Sequence, residues 1–234
     1  MVHMNFGLRR DADELSAEVL PKSKQRQEIR RQHRLRELLR VASRQFTDKG
    51  YEATTLEMIA DEMGLTKTGL YNYVNSKEEI AALILENAIT HLSQTLEHLQ
   101  KEYASPRDIL HGIVLEHVKS LANHPASPML VMRFDQVLDP QTFPALYELR
   151  HRYENQVQDV IALGIAQGQF SVDDPKLATL FLLGAVNWVA RWYHSPTQGT
   201  PLDATHVGQW FAEVIVGGLT SPDRLESSLP PRLT

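Results

Sequence analysis

Cysteine is absent from the chain, which removes disulfide frameworks, thiolate zinc sites and cysteine nucleophiles together. No uncharged apolar run reaches the ~18 residues that a membrane span needs. The first residues lack the apolar stretch of a signal peptide, so the expected compartment is the cytoplasm and no membrane partner is expected. Period-two alternation is not sustained anywhere, and there is no internal repeat. The sequence contains no G-x-S-x-G, no glycine-rich phosphate loop and no H-E-x-x-H, so catalysis has no support. Its ten histidines give no adjacent i, i+4 chelate among His91, His98, His111, His117 and His124, and are read as exposed; no metal and no cofactor are expected.

What is present is 42% hydrophobic content, enough for a packed core, and an uneven distribution of charge. From Lys22 to Lys77 there are 12 Lys or Arg against 7 Asp or Glu, a balance of +5, while the rest of the chain carries 12 against 22, a balance of −10. A basic N-terminal third on an acidic body is the asymmetry expected of a nucleic-acid-binding module joined to a separate domain. A solvated basic helix fits the same charges, and for Arg26, Arg30, Arg31 and Arg34 the solvated and phosphate-contact readings stay open.

The periodicity predicts an all-α chain. Residues 1–25 read as a flexible extension. From Gln27 to Asp48, Leu35, Leu38, Leu39, Ala42 and Phe46 recur at spacings of three and four, an amphipathic helix closed by Gly50. Thr54 with Glu57 reads as a capping box for a short helix ending at Gly64, and a third helix carries Lys67 to Tyr73. Ser76 with Glu79 opens a long helix with Ile80, Leu83, Ile84, Ala88, Leu92, Leu96 and Leu99 along its core side. Ser105-Pro106 starts the next, running to Leu121. Four prolines then leave room only for a short helix over Met129 to Leu138, and a long one follows from Ala145 to Gly168. Asp174-Pro175 starts a helix with no charge from Leu177 to Ala190, which must be covered nearly all round. Asp203 caps the last, stopped by Gly217-Gly218; residues 221–234 read as a loose tail.

The segment TLEMIADEMGLTKTGLYNYVNSKEEI, from Thr55 to Ile80, carries the chemistry. Gly64 permits a sharp turn, Thr66 can cap a helix that fits a major groove about 12 Å wide, and Lys67, Thr68, Gly69 and Asn72 are small, polar or cationic. Leu70 and Val74 face inward on this spacing. Tyr71 and Tyr73 offer hydroxyls to phosphate or rings to the scaffold, and Lys77 is placed to clamp the DNA backbone.

Ile59-Ala60, Gly64-Leu65-Thr66, Leu70-Tyr71, Tyr73 and Ser76-Lys77-Glu78-Glu79 make the segment similar to the DNA-binding domain of the TetR family. Val74 departs from the family's usual phenylalanine. The resemblance covers residues 30 to 85 closely. It implies a helix-turn-helix domain over 26–76, a helical ligand-binding and dimerisation domain over 77–220, and a homodimeric regulator of transcription. The DNA-contacting residues are then Arg30, Thr55, Thr66, Lys67, Thr68, Gly69, Tyr71, Asn72, Tyr73 and Lys77.

In the C-terminal half, Asn187-Trp188, Arg191-Trp192-Tyr193, Pro196, Gly199 and Gly217-Gly218-Leu219 resemble the branch of the family that senses acyl-CoA thioesters. The uncharged helix covers its own domain, a second subunit or a ligand; Gly184 and Gly208 would permit close approach in a dimeric four-helix bundle. Met129, Arg133, Phe134, Tyr147, Phe181, Asn187, Trp188, Arg191 and Trp192 are the candidate ligand residues, weighed against ordinary core packing. Arg133 could instead pair with Asp135 or Glu148. The expectation is a repressor that holds a palindromic operator as a homodimer and releases it to a small hydrophobic or acyl-CoA-type effector. A helical protein-interaction adaptor without DNA binding is the alternative.

Overall fold

The structure, a computed structural model, describes residues 22–123, 130–193 and 202–220, and every regular element within them is helical. The order is α1 (Lys22–Lys49), α2 (Leu56–Glu62), α3 (Lys67–Tyr71), α4 (Lys77–Glu102), α5 (Pro106–Asn123), α6 (Phe134–Val137), α7 (Pro144–Ala166), α8 (Pro175–Trp192) and α9 (Ala204–Thr220). The all-α expectation holds. Expectations placed on residues 1–21, Met129, Pro196, Gly199 and the tail beyond Thr220 lie outside the described residues.

Most boundaries follow the chemistry of the chain. Thr66 accepts a hydrogen bond from the Gly69 N–H at 3.0 Å, Ser76 from Glu79 at 3.0 Å, and Asp174 from Lys176 and Leu177 at 2.8 and 3.1 Å. Gly64 takes φ +65° between α2 and α3, and Gly168 takes φ +68° after α7. Several boundaries differ from expectation: α1 begins at Lys22, so residues 22–25, expected in the flexible extension, continue the helix, and α3 ends at Tyr71, short of Tyr73. The cap of α2 is Thr55, which accepts from Met58, and not Thr54. Thr54 is buried, its hydroxyl facing the Gln45 and Gly50 carbonyls at 3.1 and 2.9 Å, so the side chain ties α1 to the loop behind it. Nor does Gly217-Gly218 stop α9, which runs to Thr220 because the Ser171 N–H donates to the Leu219 carbonyl at 2.8 Å and Leu219 is buried. Tertiary packing there outweighs the low helix propensity of glycine.

Two apolar cores form. The first gathers Leu38, Ala42 and Phe46 of α1, Ile59 and Ala60 of α2, Leu70 of α3, and Ile80 to Leu85 of α4. The second is built from Leu92, Leu96 and Leu99 of α4 with the buried faces of α5, α7, α8 and α9. Helix α4 therefore belongs to both. The first core also takes in Leu130, Phe134, Leu138 and Leu146, although they lie far beyond it in sequence.

Close packing rests on glycine at several places, among them Gly112, where a Cβ would fall 2.8 Å from Leu99. A Cβ on Gly208 would meet Leu115 at 2.8 Å from its Cδ1 and 3.0 Å from its carbonyl oxygen, so Gly208 serves the contact between α9 and α5 inside the chain, not an approach between subunits. A Cβ on Gly164 would fall 2.1 Å from the Phe170 ring. Gly164→Ala is expected to expel that ring from the second core and destabilise the protein by about 1–3 kcal/mol in urea unfolding. Unchanged stability would show that the α7 turn yields easily.

Candidate nucleic-acid interface and apolar cavity

Helices α2 and α3 form a tight pair on the first core. Leu70 and Val74 are almost fully buried, which turns Lys67, Thr68, Tyr71 and Asn72 to solvent; Tyr71 is 43% exposed. Thr55 and Thr66, the caps of α2 and α3, are exposed as well, while Gly69 and Tyr73 are half-buried and Tyr73 packs against the core. Lys67 is ion-paired with Glu57, and the contact holds the Glu57 carboxyl below, and the Lys67 ammonium above, their usual ranges. Arg44 pairs with Glu62, which also accepts from Gln45 at 2.7 Å, fastening α2 to α1. A small polar face is thus mounted on a rigid apolar base.

Lys77 does not join that face. Its ammonium donates to the carbonyls of Tyr51 at 2.8 Å and Thr54 at 3.1 Å, with Glu52 at 3.4 Å, and lies 4.4 Å from the centre of the Tyr51 ring. The clamp expected on DNA instead gathers the carbonyls of the loop between α1 and α2, where the Tyr51 carbonyl also accepts from the Thr54 N–H at 3.3 Å. Arg30 is exposed on the first turns of α1, away from the packed part of that helix.

A cavity of about 260 Å³ lies between α4, α5, α7 and α8 beside the second core. Leu85, Ile89, Leu92, Leu121 and Leu183 make it mainly apolar. Phe134 closes the end nearest the first core, and the Arg150 guanidinium lies 4.9 Å from its ring centre. Arg150 also pairs with Glu154 at 2.9 Å and lies 3.7 Å from Asp135, so the charges on this wall are compensated. On another side, His117 is buried, with Nδ1 3.3 Å from the Tyr153 hydroxyl. Burial lowers its pKa to about 4, an effect opposed by a hydrogen bond with Asn187; burial also pushes the Tyr153 phenol up. Near neutral pH this cluster carries no charge.

Two family models match the chain: residues 38–84 match the bacterial regulatory proteins of the tetR family, and residues 103–219 match the tetracyclin repressor-like C-terminal domain. The chain belongs to the TetR family. It is similar to the HTH-type transcriptional repressor KstR2 of Mycobacterium tuberculosis, at 30% identity over 187 residues that cover 79% of this chain and 92% of KstR2. The structure of that ketosteroid transcriptional regulator matches with a TM-score of 0.70 at 27% identity, over 80% of this chain and 95% of KstR2. PfmR from Thermus thermophilus matches with a TM-score of 0.69 at 30% identity, over 79% of this chain and 99% of PfmR. AibR, solved with isovaleryl coenzyme A and operator DNA, shares the fold with a TM-score of 0.66 at 23% identity, over 80% and 98% of the two chains. The chain is therefore a DNA-binding transcriptional regulator and not an enzyme.

Within this TetR fold the expected ligand residues scatter. Phe134 and Asn187 line the cavity. Phe181 and Trp188 do not: they are 62% and 55% exposed on the outer face of α8, roughly a quarter-turn from the wall-forming Leu180, Leu183 and Asn187 at ~3.6 residues per turn. Arg191 is exposed on the last turn, and Trp192 is half-buried against Phe211. Tyr147 stands behind the wall, edge-on to Phe134, its hydroxyl 3.0 Å from both an Asp135 carboxylate oxygen and the Leu138 carbonyl, which share its one proton. Arg133 points to the other domain and meets Glu52 at 3.5 Å, instead of Asp135 or Glu148.

The sequence reading misses His117, Tyr153, Arg150 and Glu154 as wall residues. The expectation of exposed histidines fails at His117, although a signal is present: His117 continues the stripe Leu110, Ile113, Val114 and Leu121 on the buried side of α5. Its neutral, buried imidazole has a thermodynamic consequence. Below pH 6.5 the unfolded chain takes up a proton that the folded chain refuses until about pH 4, so stability is present above 6.5 and lost as pH falls between these values. The loss is about 3 kcal/mol at most. His117→Gln should therefore narrow its stability deficit relative to wild type as pH is lowered from 7 to 4, read by denaturant unfolding; a constant deficit would count against a neutral buried imidazole.

Proposed function

We propose that this regulator is a homodimeric repressor, acting in the cytoplasm, that reads a palindromic operator through α3 and releases it when a small hydrophobic group, such as the acyl part of a CoA thioester, enters the cavity. In this reading residues 26–76 are the DNA-binding domain and 77–220 the effector and dimerisation domain. Thr55, Thr66, Lys67, Thr68, Gly69, Tyr71, Asn72 and Tyr73 approach the groove. The observation that carries the reading is the small polar face of α3 set on a buried Leu70 and Val74, beside Glu57 as an exchangeable counter-ion for Lys67. Bound phosphate would replace Glu57 at the ammonium.

The effector half rests on the cavity. Its ionised groups neutralise one another and its volume lies near the low end of ligand pockets, about 300 Å³, which suits an uncharged apolar group with any charged remainder outside. KstR2 is a repressor, and the fold of AibR accommodates isovaleryl coenzyme A together with operator DNA. The route to DNA is short. Phe134 is at once cavity wall and part of the first core, and its neighbour Arg133 reaches Glu52 in the loop before α2. An occupant that displaces Phe134 disturbs the seat of the helix-turn-helix and so lowers operator affinity by linkage.

Dimerisation is supported by the outer apolar face. Leu177, Phe181 and Trp188 of α8 and Trp210 and Val214 of α9 are large apolar side chains left more than half exposed. Pairing two such faces would set the recognition helices about 34 Å apart, one turn of duplex. Trp188→Glu is expected to give a monomer by sedimentation, with its fold intact because the side chain is more than half exposed within the chain. A stable dimer of this variant would move the interface elsewhere.

The function as a whole is tested by gel shift with the DNA upstream of the chain's own gene, repeated in rising salt. Retardation should weaken steeply with salt, Asn72→Ala should weaken it further, and one member of a panel of short and medium acyl-CoA thioesters should abolish it. A wild-type chain that retards no fragment would favour the adaptor reading, and retardation indifferent to every thioester would exclude that effector class.

A further inference from the structure

Among the described residues, the first turns of α1 pack against nothing else in the chain. Residues 23–34 are helical and exposed throughout, and the first core begins with Leu35 and Leu38. This stretch lies before residue 38, where the family model starts, and the alignment with KstR2 leaves the unmatched surplus mainly on this chain's side, 79% covered against 92%. Residues 22–34 carry six Lys or Arg against one Asp or Glu. Arg34 is paired with Glu37 at 2.9 Å, and Glu28 is occupied by Gln32 at 3.2 Å. Among the described residues no carboxylate pairs with Lys24, Arg26, Arg30 or Arg31.

Arg26, Arg30 and Arg34 stand four apart, so three like charges are stacked along one side of the helix, an arrangement that weakens a helix standing alone. An anion laid along the row removes that penalty. The partner's chemistry is narrowed by what the arm lacks: Ile29 is its one large apolar residue, so there is no apolar face to enter a lipid surface or a protein groove. A polyanion fits, and the arm is one continuous helix with the part of α1 that seats α2 and α3.

Resting on the DNA-binding reading above, we propose that the arm of α1 is a second DNA-contacting element that engages the phosphate backbone of duplex flanking the operator. Its 12 exposed residues extend about 18 Å, the span of about five phosphates on one strand. Lys24, Arg26, Arg30 and Arg31 supply the charge, without reading base sequence. The arm thereby raises affinity and lengthens the footprint, while sequence preference stays with α3.

The test uses duplexes selected by the full-length wild-type chain from a random pool, each prepared as the bare selected site and with one extra helical turn, about 10 base pairs, on either side. Wild type should bind the flanked duplex more tightly than the bare one. R26Q/R30Q/R31Q should lose that gain, roughly tenfold, and show a slope of log affinity against log salt that is shallower by about 0.9 for every phosphate contact removed. R26K/R30K/R31K should keep both the gain and the slope, because a phosphate contact needs charge and not guanidinium geometry. A glutamine variant that matches wild type on flanked duplex in affinity and slope would overturn the proposal while leaving α3 as the reader. Failure of wild type to enrich any duplex would overturn the DNA-binding reading and this proposal together.

Discussion

Helix α4 has to be buried twice, and the architecture follows from that requirement. Its first turns supply Ile80, Ala81, Ile84 and Leu85 to the core under the helix-turn-helix, and its later turns supply Leu92, Leu96 and Leu99 to the core of the larger domain. One rigid rod thus has an end in each body. The cavity opens where it changes allegiance, with Leu85, Ala88, Ile89 and Leu92 on its wall. A site at this crossing cannot be filled without bearing on residues that hold the DNA-binding domain in place. Phe134 and Leu146 reinforce the crossing from the other side, since both reach back into the first core from the second half of the chain.

Electrostatics are arranged differently at the two sites. At the nucleic-acid face the charges are solvated and exchangeable: Lys67 and Glu57 are both exposed, and such a pair contributes little to stability. In the proposed reading, its surrender to phosphate would cost little. Lys77 is the opposite case. Half-buried and directed at three carbonyls of one loop, it is committed to the fold, and its removal would take a charged donor from each of them. Two lysines ten residues apart in one motif therefore have unlike roles, decided by which neighbours lie within reach.

Elements that rest on local rules are readable in the sequence, and those that rest on tertiary contact are obscure in it. The caps at Thr66, Ser76, Asp174 and Asp203 and the glycine turns at Gly64 and Gly168 depend on residues within a few positions of each other, and they appear where expected. Leu70 and Val74 fall inward because spacing alone determines it. The cavity is only partly legible. Phe134 and Asn187 can be picked out, but Phe181 and Trp188 turn away from the wall on the same helix, because composition marks α8 as apolar without saying which face meets which neighbour. Arg133 and Lys77 escape the sequence reading for a related reason: their partners, Glu52 and the loop carbonyls of Tyr51 and Thr54, lie far away in sequence.

That two-faced character of α8 has a mechanical consequence for the proposed regulator. Leu180, Leu183, Gly184 and Asn187 face the cavity, while Phe181 and Trp188 project from the outer surface of the same backbone. An α-helix moves as a unit, because its backbone hydrogen bonds resist local deformation. A ligand that shifts the inner face must therefore carry the outer face with it, and in a dimer paired through that surface the shift reaches the partner subunit as well. The helix-turn-helix is then approached along two routes from a single cavity, one through Phe134 and α4 within the chain and one through α8 across the two-fold axis. Both alter where α3 stands relative to its counterpart, the one distance a palindromic site is able to sense.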